Sequence, residues 1–477
     1  MTFNELLTLV SSRKGLEVCI DSRLVKKGDI FIAINGSVYD GHRFIDQAVT
    51  AGAKYVVCQQ PFSHKDAEVI IVDDSTKAAA ALAQAGRGNP ASKLVNLAVT
   101  GTNGKTTVAF LVQSVVRHAG QKCGLIGTII YDTGEQIYQA PLTTPDPLTI
   151  ADRQKQMLNA GSKYMIIEAS SHALSQNRLA CVDFKAAAFT NLTGDHLDYH
   201  KTEQNYLDAK AKLFQGLSPS ASAVLNKESP HSAALAGKTK AKILWYAIDM
   251  PADLIAHLES MDLTGTNFLL EYDSRTQKVN SPLLGRYNVS NHLAAAGLCI
   301  AAGFDLKTIA AGLSALKVTP GRLEKVDSDL SFTVLIDYAH TDDALKNVLS
   351  TLKPLCKGRL IVVFGCGGDR DKTKRPRMAK VVEQSADRVF VTSDNPRTEL
   401  PQAIIDQVVA GFQNPDSKKI KIEPDRKKAI ELAINAAAEK DIVLIAGKGH
   451  ETYQIIGNKK FDFSDKAVAL ECLKKRK

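Results

Sequence analysis

The clearest signal along the chain is a set of short apolar runs in its last third. FTVLIDYA, RLIVVFGC, RVFVTSD and DIVLIAGKG each read as a strand, and helical stretches separate them. That alternation predicts parallel βαβ units. In such sheets ligands bind beyond the carboxyl ends of the strands. Each run ends in polar or glycine-rich chemistry: Asp337 to His340, Gly365 to Arg370, Asp394 to Arg397, and Gly447 to Glu451. Four loops are therefore expected on one rim.

The same reading divides the rest of the chain. Residues 1–90 contain strand-like DIFIAIN, KYVVCQ and EVIIVDD, then a small-residue helix, STKAAAALAQAGR, closed by the turn GNP. Residues 91–318 open on LVNLAVTGTNGKTTVAFLVQSVV, an apolar strand, a glycine-rich turn and an apolar helix. They continue through strands YMIIEAS and AAAFTNL to the helix around NVSNHLAAAGLCIAAG. TPGRLEKV, residues 319–326, reads as a linker into the third segment, 319–477. Within YLDAKAKLF, Leu207, Lys210, Ala211 and Phe214 share one helical face, so Lys210 lies on the apolar stripe and Lys212 points away. There is no internal repeat and no low-complexity tract.

Length changes the picture little: 477 residues fit about three domains of ordinary size. With 44% hydrophobic and 23% charged residues, the composition is that of a globular protein. The net charge of +9 reflects 60 basic against 51 acidic residues, a mild bias toward anionic ligands. Lys474-Lys475-Arg476-Lys477 reads as a solvated end, and nothing else suggests a nucleic-acid partner. No apolar run approaches the ~20 residues of a membrane span, and the start lacks signal-peptide character. Eight scattered cysteines without a close pair suggest reduced thiols, no zinc site and a cytoplasmic protein.

The candidate chemistry begins at TGTNGKTT, residues 100–107. Between a strand and a helix, backbone N–H groups can cradle phosphates, with Lys105 on the outer phosphates and Thr106 or Thr107 toward magnesium. Val99 stands where the strict phosphate-loop pattern has its first glycine. A glycine turn that merely packs helix on strand is the plainer alternative. IIEASSHALSQNR places Glu168 at a strand end, well placed for magnesium, though a lone acid there is usually only solvated. FTNLTGDHLDYH sets Asp195, His196, Asp198 and His200 close together, and capping could account for either acid. For Lys210 a snorkelling stem is the common explanation; a lysine held partly dry beside metal ligands could instead be modified.

Taken together, DSR, DGHRFIDQA, TGTNGKTT, LTTPDP, EASSHAL, FTNLTGDHLDYH, PGRLE, DYAHT, GCGGDRDKTKRP, DNPR and AGKGHE resemble the Mur ligases of peptidoglycan precursor synthesis. They resemble most the type that adds the third amino acid, to UDP-N-acetylmuramoyl-L-alanyl-D-glutamate. The resemblance spans nearly the whole chain, and the joint order of the motifs is specific. It implies an α/β protein of three domains: an N-terminal UDP-sugar domain, a central phosphate-loop ATPase-like domain and a C-terminal Rossmann-like domain. It also implies a monomer working on small molecules, in which ATP phosphorylates the D-glutamate carboxylate and an amine attacks the acyl phosphate. Such a reaction asks for positioning and charge neutralisation rather than an enzymic nucleophile.

Carried over by motif, the resemblance implies ATP contacts from Gly101, Thr102, Asn103, Gly104, Lys105, Thr106 and Thr107. Asn288 and Asn291 would lie near the adenine, and Arg322, Asp337 and His340 would reach ATP from the third domain. Thr106, Glu168, His196 and Lys210 would surround Mg2+, with Lys210 carrying a carbamate (N6-carboxylysine), an anionic oxygen ligand. Lys105, Glu168, His196 and Lys210 are thus the implied catalytic set. Ile20, Ser22, Ser37, Val38 and Tyr39 match the uridine end; Thr143, Thr144, Ser170, Gln176 and Arg178 match positions that hold the muramyl dipeptide. Asp342 departs from the pattern, where proline is expected.

In this type the loop matching Asp394-Asn395-Pro396-Arg397 selects the amino acid. DNPR resembles the version that adds meso-2,6-diaminopimelate, with Arg397 gripping the distal carboxylate through a two-pronged contact. Arg370, Gly447 and Glu451 match further diaminopimelate contacts. Helix capping, with Asn395 as cap and Pro396 at the first helical position, is a second expectation for the loop. The rivals are an L-lysine-adding ligase, separated by this one loop, a remoter folylpolyglutamate synthetase, which DSR, DNPR and GKGHE do not suit, and an idle nucleotide-binding scaffold.

Overall fold

The computed structural model describes residues 1–12, 15–36 and 39–476. Three main sheets succeed one another along the chain. The first has four parallel strands in chain order, Val18–Cys19, Ile30–Ile32, Tyr55–Cys58 and Glu68–Ile71. Strand alternation divides its side chains: Ile30, Ile32 and Val57 pack with Leu6, Val10 and Leu82 of helices Phe3–Ser12 and Ser75–Gly86, while Phe31 and Val56 meet Ile45 and Ala48 on the other face. This sheet is tied to the next by Gln84, whose amide donates to Gln154 Oε1 at 2.7 Å, and by the Arg87–Asp152 ion pair.

The second sheet has eleven strands. Its centre is parallel, with Val95–Thr100 between Tyr164–Glu168 and Phe184–Phe189, and antiparallel hairpins extend both edges. Helices Lys105–His118 and Arg286–Ala301 cover one face through Val108, Val112, Leu293 and Ala294. Helix Glu203–Gln215 covers the other with Leu207, Ala211 and Phe214. Burying a leucine or phenylalanine stabilises by about 1.5–3 kcal/mol, which fixes the face this helix presents and carries Lys210 inward with it.

The third sheet runs Glu324–Val326, Thr333–Asp337, Ile442–Ala446, Leu360–Phe364, Arg388–Val391, Ile420–Ile422. All neighbours are parallel except the first pair. The four expected strands are present. Part of the expected linker is not a linker, however: Glu324 and Val326 pair with Ile336 and Val334, and Val326 is buried. So short an edge strand carries no readable period. Among the described residues no helix is long and apolar enough to cross a membrane.

Candidate active site

Sheet register brings the second segment's motifs to one edge. Val99 pairs with Glu168 and Thr100 with Phe189, so the glycine loop, Glu168 and the FTNLTGDH stretch leave the sheet side by side. Gly104 sits at φ 92° just before helix Lys105–His118, and a β-carbon there would run into Asn291 Oδ1; only glycine suits the position. Lys105 Nζ donates to the carbonyls of Gly101 and Thr102, each at 2.9 Å, which folds it back over the loop. Burial lowers its pKa below the ordinary lysine value.

Glu168 is fully buried. Its carboxylate accepts from Thr106 Oγ1 at 2.9 Å, Thr128 N at 2.8 Å and Thr128 Oγ1 at 2.9 Å, all neutral donors. Lys210, 1% exposed, donates to Gly101 O at 2.8 Å and lies 4.3 Å from the centre of the Tyr206 ring. Burial, reinforced by Lys105, takes its pKa well below that of an ordinary lysine, while Asp195 opposes the shift. Lys212 on the opposite face is exposed, as the periodicity predicts. His196 takes the left-handed conformation at φ 55°, and burial brings its pKa to about 4. Burial pushes the Asp195 carboxyl up, but His196, His340 and Lys374 outweigh this and hold it below the usual carboxylate range.

Three cavities run in series. One of about 400 Å³ is lined by Asn103, Gly104, Thr107, Asn288, Asn291, Arg322 and Asp337. The next, about 160 Å³, holds Thr102, Lys105, Thr106, Glu168, His196, Lys210, Arg322 and His340. The third, about 360 Å³, is lined by His196, His340, Arg370, Asp394, Asn395, Arg397, Gly447 and Glu451. Arg322 joins the first two and His196 and His340 join the last two. Asp343 bridges the segments, accepting from Asn103 Nδ2 at 3.0 Å and Thr193 Oγ1 at 3.2 Å. Asp337 lines the first cavity with its carboxylate turned onto two backbone N–H groups, accepting from Leu323 N and Ala339 N, both at 2.7 Å. Burial raises its pKa. Asp342 opens helix Asp342–Leu355 and pairs with Arg377 at 2.9 Å.

The four rim loops converge as expected, but the capping expectation fails. Helix Pro401–Val409 begins with Leu400 as its cap, and Asn395 and Pro396 lie before it. The loop pairs instead with the hairpin Tyr453–Ile456 and Lys459–Asp462: Arg397 N donates to Ile455 O at 3.1 Å, and Gly457 N donates to Arg397 O at 2.7 Å. Those bonds replace a helix start and hold Arg397 at φ 51°. Its guanidinium donates to Gly368 O at 2.8 Å and forms no ion pair among the described residues. Pro396 does not line the cavity. Gly447, at φ 116°, lets Asp394 approach: a β-carbon would stand 2.6 Å from Asp394 Oδ2.

A separate cavity of about 590 Å³ lies between the first and second segments, lined by Ile20, Tyr39, Gln176 and Arg178 among others. Thr143 and Ser170 face the central cavity. Ser22 and Thr144 line neither: Ser22 Oγ donates to Gln47 Oε1 at 3.1 Å and Thr144 Oγ1 to Glu168 O at 2.6 Å. Ser37 and Val38 lie outside the described residues. Sequence reasoning missed Thr128, Asp343, Lys374 and Lys448. Lys448, inside the quoted AGKGHE, carried a signal in its place between two glycines after a strand; Thr128 carried none.

A phosphate-loop sheet facing a second α/β layer across linked polar cavities defines a group-transfer enzyme of the nucleotide-using class. Residues 17–87 match the Mur ligase family catalytic domain, 99–299 the Mur ligase middle domain, and 321–449 the Mur ligase glutamate ligase domain. The UDP-N-acetylmuramoyl-L-alanyl-D-glutamate--2,6-diaminopimelate ligase of Geobacillus kaustophilus is 44% identical over 489 residues, covering 99% of this chain and 100% of its own. A solved structure bearing the same enzyme name is 34% identical, with TM-score 0.69, and covers 96% of this chain and 95% of its own. A Mycobacterium tuberculosis folylpolyglutamate synthase, 20% identical with TM-score 0.63, covers 76% of this chain and 91% of its own; it shares the fold. The chain belongs to the Mur ligase family.

Proposed function

We propose that the protein adds meso-2,6-diaminopimelate to the D-glutamate of UDP-N-acetylmuramoyl-L-alanyl-D-glutamate, using ATP, in peptidoglycan precursor synthesis. The observation that carries this reading is the serial arrangement of cavities: a nucleotide chamber, a phosphate chamber and an acceptor chamber lined by Arg397, which has no anionic partner among the described residues. Relatives of high coverage that bear this name point the same way. The serial cavities also favour a working enzyme over a scaffold.

The adenine lies beside Asn288 and Asn291, and Gly101 to Thr107 take the phosphates. Lys105 and Arg322 neutralise charge as the terminal phosphoryl passes to the D-glutamate carboxylate. The dipeptide-sugar runs from Tyr39, Gln176 and Arg178 toward Thr143 and Ser170. The acceptor amine attacks the acyl carbon from the third cavity; the tetrahedral adduct then expels phosphate. His340, at the junction of the last two cavities and neutral at physiological pH, is placed to take a proton from that amine.

The central cavity suits magnesium. Glu168 has only neutral donors, and among the described residues no three acidic, histidine or cysteine side chains form a ready-made cage. Mg2+ is usually held by one or two carboxylates plus substrate phosphates. When bound it would neutralise phosphate charge, with Thr106, Glu168, His196 and Lys210 around it. Lys210 as an ammonium could not serve; buried and easily deprotonated, it is suited to take up carbon dioxide as a carbamate. The division at residues 90 and 318, a monomeric state and a cytoplasmic location belong to the same proposal.

The test is phosphate release with ATP, Mg2+ and the UDP-N-acetylmuramoyl dipeptide, with diaminopimelate or L-lysine added in parallel. Release with diaminopimelate alone is expected. Release with lysine alone overturns the acceptor assignment, and release with neither overturns the ligase reading.

A further inference from the structure

Lys448 lies behind the acceptor cavity, fully buried, and does not line it. Its ammonium donates to Glu451 Oε2 at 2.9 Å and to Asn395 Oδ1 at 3.1 Å, and stands 3.9 Å from Asp394 Oδ1. Asn395 also donates from Nδ2 to Glu451 Oε2 at 2.8 Å, and its Oδ1 accepts from Ile455 N at 3.0 Å. The amide is therefore locked: its oxygen faces two donors and its nitrogen faces a carboxylate. Both bonds to Glu451 fall on Oε2. Oε1 has no hydrogen-bond partner among the described residues, and Glu451 lines the cavity.

The geometry points to Lys448 as a positioning residue that sets acceptor specificity by holding Glu451 with one oxygen presented to the amine on the acceptor's distal carbon. The inference rests on the diaminopimelate reading and deepens it. Arg397 addresses the distal carboxylate; Glu451, fixed through Lys448 and Asn395, addresses the neighbouring ammonium. Removing the ammonium of Lys448 leaves Oε2 with one donor instead of two. Glu451 can then turn, and the cavity loses its grip on the distal amine while keeping that on the carboxylate.

A pair of acceptors separates this from a merely structural role: meso-diaminopimelate, and 2-aminopimelate, which has the same chain and distal carboxylate but no distal amine. Lys448→Met should lower the kcat/KM preference for diaminopimelate over 2-aminopimelate by about tenfold or more, the size of one charge-assisted hydrogen bond. The loss should fall on acceptor KM, leaving the KM for ATP and for the dipeptide substrate nearly unchanged. Lys448→Arg should fall between wild type and Lys448→Met. If Lys448→Met does not fold, Lys448→Arg alone still decides, because an unchanged preference in it contradicts the inference. Equal losses for both acceptors would overturn it and leave Lys448 a packing residue. A wild-type protein inactive with diaminopimelate would overturn the acceptor reading itself, before any variant is compared.

Discussion

The phosphate loop and the acceptor rim are both polar clusters at strand ends, yet they are built differently. In the loop, Lys105 bonds to Gly101 and Thr102 in its own turn, and the neighbouring strands supply Glu168. At the rim, four loops separated by long stretches of chain must be brought into register, and buried ions do it. Arg426, paired with Asp465 at 2.7 Å, donates to Ala446 O at 2.9 Å and Ser393 O at 3.4 Å, just before Gly447 and Asp394. Arg375, paired with Glu399, reaches Gly367 O at 3.2 Å. A local motif positions itself; a composite surface needs an internal frame.

The largest loss is expected from removing that frame. Arg426→Met leaves the buried Asp465 carboxylate unpaired, which costs about 3–5 kcal/mol of stability. Urea denaturation should show it, and replacing both partners with apolar residues should restore much of the loss. A change below about 1 kcal/mol would mean the rim does not depend on the pair.

Lys105→Ala strikes the other region. Turnover should fall about 10²–10³-fold, the range for removing one preorganised charge-stabilising donor, and equally for any acceptor. A loss confined to one acceptor would place Lys105 in selection rather than phosphoryl transfer.

Arg397→Ala sharpens the contrast from the rim side. Diaminopimelate KM should rise about 10–100-fold, the equivalent of about 1.5–3 kcal/mol, with ATP KM within about twofold. Matching rises in both would tie Arg397 to domain closure instead.

A further prediction concerns pH. Burial depresses His292 from the ordinary 6.5 to about 4, and burial does the same to His340 and His450. Their unfolded forms bind protons first as the solution is acidified, so the stability they contribute is complete above about pH 6.5 and lost as pH falls toward 4. The melting temperature should decline through that window. A flat profile would show that these histidines are solvated in the folded protein.

The same contrast explains what was legible in the sequence. TGTNGKTT could be read because its residues act on one another within a single turn, and Lys210 because helical spacing places it beside Leu207 and Phe214. DNPR could be read for its chemistry but not its backbone: Asn-Pro before a helical pattern resembles a cap. The hairpin that claims the loop's hydrogen bonds lies over fifty residues away, with Gln454 Nε2 donating to Asp394 O across a separation of 60. Glu324–Val326 was hidden for the opposite reason, being too short to show a period.

The most direct measurement is a competition. The wild-type protein is given ATP, Mg2+, the UDP-N-acetylmuramoyl dipeptide and equal concentrations of meso-diaminopimelate and L-lysine, and the products are weighed by mass spectrometry. A site built around a guanidinium with no ion pair among the described residues should reject the acceptor lacking a distal carboxylate by at least about 10². The account predicts a product carrying diaminopimelate almost alone; comparable amounts of the two products, or an excess of the lysine product, would contradict it.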